Sequence, residues 1–239
     1  MRVIHVFVLI FFVMSSLAWA GYPNAKDEYI NDFAQIIDNS RQTEIRAKLY
    51  EVEYYSGVEI SVVTVDSFHS FGTGAASWEA FSTGLFNYWG VGNKHLNNGV
   101  LLIVSKDDRK IRIELGAGFP SHYDSIMEKI IDDSIAPQLR TGNYTNGIEL
   151  GVDEIIKATT VKVSFFTWHK WHILGGIGAL ISLLIALLID RSKNPGLFLM
   201  LLAFVGYIIL YILRHLKSGN RSEGFGGGSS RGGGASGDF

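Results

Sequence analysis

The chain has 239 residues, no cysteine, and 21 Lys+Arg against 23 Asp+Glu, a formal charge of −2. With 47% apolar and 18% charged residues it is neither a disordered polyelectrolyte nor a basic nucleic-acid binder, and lack of cysteine excludes a disulfide framework, a thiol nucleophile and a thiolate metal site. A soluble domain usually carries roughly 25% charged residues, so the average conceals segments of different character.

Residues 1–20 read as a signal peptide. Arg2 and His5 precede the apolar run Val6–Met14, and Ala18-Trp19-Ala20 forms an A-x-A cleavage site. An uncleaved N-terminal anchor is the alternative. Either reading exports residue 21 onward.

Residues 21–165 read as one globular domain. Residues 21–170 hold 14 Lys+Arg against 20 Asp+Glu, so this part is at −6 and the remaining segments are at +4. Helical periodicity fits 40–55 through Ile45, Leu49 and Val52, with Gly57 as its stop. The β-branched run 57–65 predicts a strand. A helix follows over 78–89 through Trp78, Phe81, Leu85 and Tyr88, with Ser77 as N-cap. Strands are expected at 100–104 and 111–115, joined by the polar turn Ser105–Lys110 and therefore antiparallel. The second alternates: Ile111, Ile113 and Leu115 share one face, Arg112 and Glu114 the other. Helices are expected over 122–135, opened by a Ser121/Asp124 capping box and ended at Pro137, and over 144–158. The expected fold is α/β, a mixed central sheet flanked by helices in an α/β/α sandwich.

Two apolar runs follow, 173–189 and 196–213. Their lengths predict transmembrane helices over 172–190 and 196–213. Trp168 and Trp171 stand where interfacial aromatics belong, and the short linker with Pro195 requires a tight hairpin. A buried hairpin in a soluble core is the alternative. Export of the domain places the linker, with Arg191 and Lys193, in the cytoplasm, as the positive-inside rule expects. Arg214, Lys217 and Arg221 then lie outside, against that rule. Residues 214–239 read as a disordered tail, since the stretch 218–239 has nine glycines and almost no aliphatic side chains.

The domain resembles the TPM family. The resemblance rests on an ordered set over residues 28–158: Asn31-Asp32-Phe33-Ala34, Gly57-Val58-Glu59-Ile60, Val63-Thr64-Val65, Trp89-Gly90-Val91-Gly92-Asn93-Lys94 and Asn98-Gly99-Val100-Leu101-Leu102. It continues with Asp107–Glu114, Gly116-Ala117-Gly118, Ile135-Ala136-Pro137 and Gly142–Ile148. The chain departs from the family at Phe119-Pro120-Ser121, where an acidic residue is usual, but keeps Asp124. The resemblance implies a bacterial membrane-anchored protein with its domain on the periplasmic or extracellular face. For activity it implies either an accessory factor of membrane protein complexes or an acid phosphatase, with calcium binding among relatives.

Candidate site residues follow from the carboxylates. Asp107-Asp108-Arg109 sits in the turn after a buried strand, where carboxylates suit Ca²⁺ or another divalent cation and a guanidinium suits phosphate. A solvated hairpin turn is the plainer reading. Asp124, Glu128 and Asp132 recur at i, i+4, i+8 and would repel unless a cation or Arg109 relieved them; otherwise they form a solvated face. Asp66 ends the first predicted strand, where ligands collect in α/β sheets. The candidate metal set is Asp66, Asp107, Asp108 and Asp124; the candidate catalytic set for a phosphatase is Asp107, Asp108 and Arg109. Gly116-Ala117-Gly118 lacks the third glycine of a dinucleotide fingerprint and marks a tight turn. The expected partners are the membrane and other membrane proteins, not nucleic acid. The function expected is that of a membrane-anchored accessory factor, with a cation-dependent phosphatase as the alternative.

Overall fold

The computed structural model describes residues 21–160, 195–216 and 224–239. The signal peptide, the apolar run 173–189 and residues 190–194 of the linker lie outside the described residues. The chain divides into two compact units, one of residues 1–160 with 224–239, the other of residues 161–223.

The first unit is built on a five-stranded mixed sheet in the order β1-β2-β3-β4-β5. Strands β1 (Ile30–Asp32), β2 (Ile60–Val65) and β3 (Val100–Ser105) are parallel; β4 (Lys110–Gly116) and β5 (Ser230–Asp238) extend the sheet antiparallel. The near-continuous apolar runs of β2 and β3 make them central: every residue of both is buried. Ile60, Val62, Val100, Leu102 and Val104 face one core, with Ile111, Ile113 and Leu115 of β4. Val63, Val65, Leu101 and Ile103 face the other.

The helices cover both faces. On the first lie α1 (Asn39–Ser56), α3 (His122–Ile130), α4 (Ala136–Arg140) and α5 (Tyr144–Thr159). On the second lies α2 (Trp78–Trp89), through Trp78, Phe81, Leu85, Phe86 and Trp89. The punctuation expected for two of them is present. Gly57 closes α1 at φ 73° and donates to Glu53 O at 2.8 Å; the Ser77 hydroxyl accepts from the Ala80 N–H at 3.2 Å.

One strand was not expected, and three expectations are corrected. Strand β1 is too short to show in the periodicity and is held by Asp32, whose carboxylate accepts from the Thr64 hydroxyl, from the N–H groups of Ile36 and Ile37 at 3.1 and 3.0 Å, and from Gln42 Nε2 at 3.0 Å. Pro137 does not end a helix. A π-helical turn, Ile131–Ile135, follows α3, and Pro137 stands in the first turn of α4, where its missing N–H leaves no bond unmade. The Ser121 capping box does not form, since Ser121 makes no side-chain cap bond and Asp124 turns to Gly234. Finally, residues 224–239 are not a disordered tail. They lie against the domain, and Ser230–Asp238 pair with β4 from Lys110↔Asp238 to Gly116↔Ser230, with a bulge near the last pair.

In the second unit the described element is α6, Pro195–Leu216, of 22 residues, which contains the second apolar run. Leu199, Met200, Phe204, Tyr207 and Leu210 on it are exposed. Among the described residues, no helix is long and apolar enough to cross a membrane.

Candidate functional site: the turn and the strand groove

The structure brings Asp66, Asp107, Asp108 and Arg109 to one end of the sheet. The Asp107 N–H donates to Asp66 O at 2.8 Å, so the two aspartates are neighbours through the backbone, and both are exposed. Asp108 is committed to structure. Its Oδ2 accepts from Ser105 Oγ at 2.6 Å and from the Phe68 N–H at 3.0 Å, and its Oδ1 accepts from Ser67 Oγ at 3.0 Å. Desolvation opposes its charge, but the bonds from Ser105, Phe68 and Ser67 prevail and hold its carboxyl below the usual range. These bonds staple the β3–β4 turn to the 3₁₀ turn Phe68–Phe71. They use three of the roughly four lone-pair directions a carboxylate offers.

Asp124 is elsewhere. It stands on α3, and its Oδ1 accepts from the Gly234 N–H at 2.7 Å. Gly234 lies five residues along the chain from Phe239, to which Arg109 is bound. At ~3.4 Å per strand residue this separates Asp124 from the turn by roughly 17 Å. The π-helical turn also breaks the i, i+4, i+8 register expected for Asp124, Glu128 and Asp132. Among the described residues no group of three or more His, Asp or Glu side chains is placed to hold a metal ion.

Two of the candidate residues instead hold the glycine-rich segment. Arg109 Nε donates to a main-chain oxygen of Phe239, its carbonyl accepts from the Phe239 N–H at 3.1 Å, and its guanidinium lies 5.2 Å from the Phe239 ring centroid. The ring is 5% exposed, edge-on to Tyr144 at 5.9 Å. Burying a phenylalanine side chain contributes about 1.5–3 kcal/mol, so Phe239 anchors one end of the segment. At the other end Phe225 stacks on Trp89 at 5.4 Å.

Between the anchors the groove reads backbone. Asn87 of α2 makes a two-way contact with Ser230, Oδ1 accepting from its N–H at 2.8 Å and Nδ2 donating to its carbonyl at 3.3 Å. Asn97 Oδ1 accepts from the Ser229 N–H at 2.9 Å, and the Ala117 N–H donates to Ser229 O at 2.8 Å. Gly90 O accepts from Gly227 and Gly228 at 2.8 and 2.9 Å, and the Lys94 N–H donates to Gly226 O at 3.0 Å. The motifs Trp89–Lys94 and Gly116–Gly118 therefore line this groove.

Beneath it lies a buried ion pair. Arg112 Nε donates to Glu114 Oε2 at 2.5 Å; the residues are 4% and 0% exposed. The rest of the guanidinium donates to Ser236 Oγ at 3.0 Å and to the carbonyls of Gly232 and Gly233 at 3.1 and 3.3 Å. Glu114 Oε1 accepts from Thr83 Oγ1 at 2.8 Å and from Ser230 Oγ at 2.5 Å. A buried pair of this kind is tolerable only when its remaining hydrogen-bonding capacity is met, and the segment meets much of it.

The groove also filters side chains. A Cβ on Gly228 would lie 2.3 Å from Val91 O, one on Gly234 1.9 Å from Ile113 O, and one on Gly237 2.5 Å from Ile131 Cγ2. Glu59 stands at the entry. Its Oε2 accepts from the Gly226 N–H at 3.2 Å. Desolvation pushes its carboxyl up to about 7.

Sequence reasoning missed Asn87, Asn97, Glu59 and the whole acceptor. The signal available was the alternation of β4, which placed Arg112 and Glu114 on one face two residues apart. The other was Phe225 and Phe239, the only aromatics in the glycine-rich segment.

Comparison with known proteins agrees with the sequence motifs. The TPM domain family model matches residues 30–158, more than half of the chain. A solution NMR structure of the N-terminal domain of a P. gingivalis protein is 33% identical, over 54% of this chain and 80% of that one, with a TM-score of 0.48. The N-terminal domain of a Corynebacterium glutamicum protein is 16% identical, over 61% and 88%, with a TM-score of 0.44. No curated protein matches.

Proposed function

The chain belongs to the TPM domain family, and we propose that it is a membrane-anchored accessory protein whose exported domain holds extended, glycine-rich strands at its sheet edge rather than hydrolysing phosphate esters. The observation that carries this reading is the groove along β4, where Asn87, Asn97, Arg109, Arg112 and Asp124 all engage the backbone of residues 224–239. Edge-strand addition of this kind takes its affinity from main-chain bonds and its selectivity from pockets for individual residues.

Against a phosphatase stands the use of the same side chains. Asp108 is consumed by the turn, and Arg109 is bound to Phe239.

Anchoring rests on the apolar sequence run, and the fold constrains its topology. The apolar run 196–213 lies within α6, whose described large side chains are exposed. In addition, residues on both sides of 161–223 belong to the same compact unit. If the intervening segment enters a membrane, an even number of crossings is required, as a hairpin provides.

The test uses the full chain carrying Gly234→Val, which cannot seat its own strand, and a labelled synthetic peptide of residues 224–239. Saturable capture of the peptide, absent with the parent chain, is the expected result. No capture would remove the reading. In parallel, the parent chain should not hydrolyse para-nitrophenyl phosphate; turnover abolished by Asp107→Ala with Asp108→Ala would reinstate the phosphatase.

A further inference from the structure

We infer that the groove is filled not only within one chain but between copies, so that the glycine-rich segment of one molecule supplies β5 to the sheet of a neighbour. This rests on the strand-holding reading above and names its partner as a second copy of this chain.

The contacts that seat the segment are local to it. They run from Phe225 on Trp89 to Phe239 on Tyr144 and Arg109, and every one is noncovalent. The segment is joined to its acceptor through residues 161–223, which form a unit of their own. Strand β5 is held to β4 by hydrogen bonds alone, with no short turn joining the two, unlike the hairpin that links β3 to β4. An acceptor of this construction cannot tell its own segment from an identical one.

The chemistry of the groove selects that occupant. It requires glycine where Gly228, Gly234 and Gly237 stand, because a Cβ there meets backbone oxygen or Ile131 at 2.5 Å or less. It requires aromatics at the places of Phe225 and Phe239, fourteen residues apart. It also requires a hydroxyl at Ser230 and another at Ser236 to complete the Glu114–Arg112 pair. A second copy carries every one of these at the right spacing. Exchange of an identical element conserves all the contacts, so it adds little free energy beyond association itself. Confinement of copies to one membrane would raise their effective concentration and favour it.

Because the chain has no cysteine, the register can be tested by disulfide trapping. Lys110 and Asp238 are cross-strand partners, with Lys110 Nζ 2.8 Å from Asp238 Oδ1. Full-length Lys110→Cys and Asp238→Cys chains, bearing different tags, are co-produced and oxidised. A disulfide-linked heterodimer is expected, and it should vanish when the Asp238→Cys chain also carries Gly234→Val. No heterodimer, while the doubly substituted chain closes its own disulfide, would overturn exchange and leave the groove filled only within one chain. A heterodimer that survives Gly234→Val would also overturn it, as random collision. Peptide capture by the Gly234→Val chain tests the underlying reading separately.

Discussion

Glu59 is a carboxyl that the fold keeps at a disadvantage when charged. It is 6% exposed at the entry to β2, and desolvation moves it from its ordinary 4.5 to about 7. The backbone N–H groups of Gly226 and Gly92 oppose that shift without cancelling it, and the nearby carboxylates Glu53 and Glu28 add to it. Between these two values the folded state holds a proton that the unfolded state has released. Stability therefore falls as pH rises through that window and stays lower above it by up to about 3 kcal/mol. Glu59→Gln should remove the slope: near parity with the parent at pH 4, and a higher melting temperature than the parent at pH 8. Equal melting temperatures at pH 8 would show that the buried carboxyl carries no penalty. Arg112 and Glu114 obey the opposite logic. Their charges are paired and their spare bonds are met by Thr83, Ser230 and Ser236, so burial is tolerated there.

At the scale of elements, β5 is a strand made by its acceptor rather than by its own sequence. Glycine is depleted in strands because it buries no side chain and loses most entropy on ordering. For that reason composition predicts disorder for residues 224–239. The pairing succeeds because β4, α2 and α3 already present the partners and leave space only for glycine at positions 228, 234 and 237. Gly233 and Gly234 separate the causes. A Cβ at Gly233 makes ordinary contacts of 3.7 Å or more, whereas Gly234 combines φ +111° with a 1.9 Å approach to Ile113 O. Gly233→Ala should leave amide hydrogen exchange in β4 and in 230–238 unchanged, and Gly234→Ala should raise it in both. Equal protection in the two variants would refute the steric filter. The strands β2, β3 and β4 and the four helical regions of 39–159 were legible, since their apolar periodicity reports burial directly. The turn Asp107–Arg109 was legible as a turn, but not in its work: the same residue types suit a cation, a phosphate or a backbone. Which of these they meet depends on a segment more than a hundred residues away.

For the whole molecule, the placement of β5 bears on a conflict that charge alone leaves open. The positive-inside rule counts Arg191 and Lys193 between the apolar runs against Arg214, Lys217 and Arg221 after the second, and so mildly disfavours a hairpin. A folded sheet is a stricter constraint. Strands β1–β4 and β5 must lie on one side of any membrane, because they form one hydrogen-bonded sheet and bury Arg112 and Glu114 between them. Separating them would strip the ion pair of Ser230 and Ser236 and expose Phe239. The charge rule reflects a bias of insertion amounting to a few charges, whereas the sheet edge would lose its whole set of contacts. The sheet should therefore decide the topology. In right-side-out vesicles, added protease should reach an epitope tag placed after Phe239 as readily as one placed within 21–160. A tag after Phe239 protected until the vesicles are lysed would mean an odd number of crossings. Since strand exchange also needs donor and acceptor on one side, that outcome would exclude β5 pairing both within a chain and between copies in the membrane.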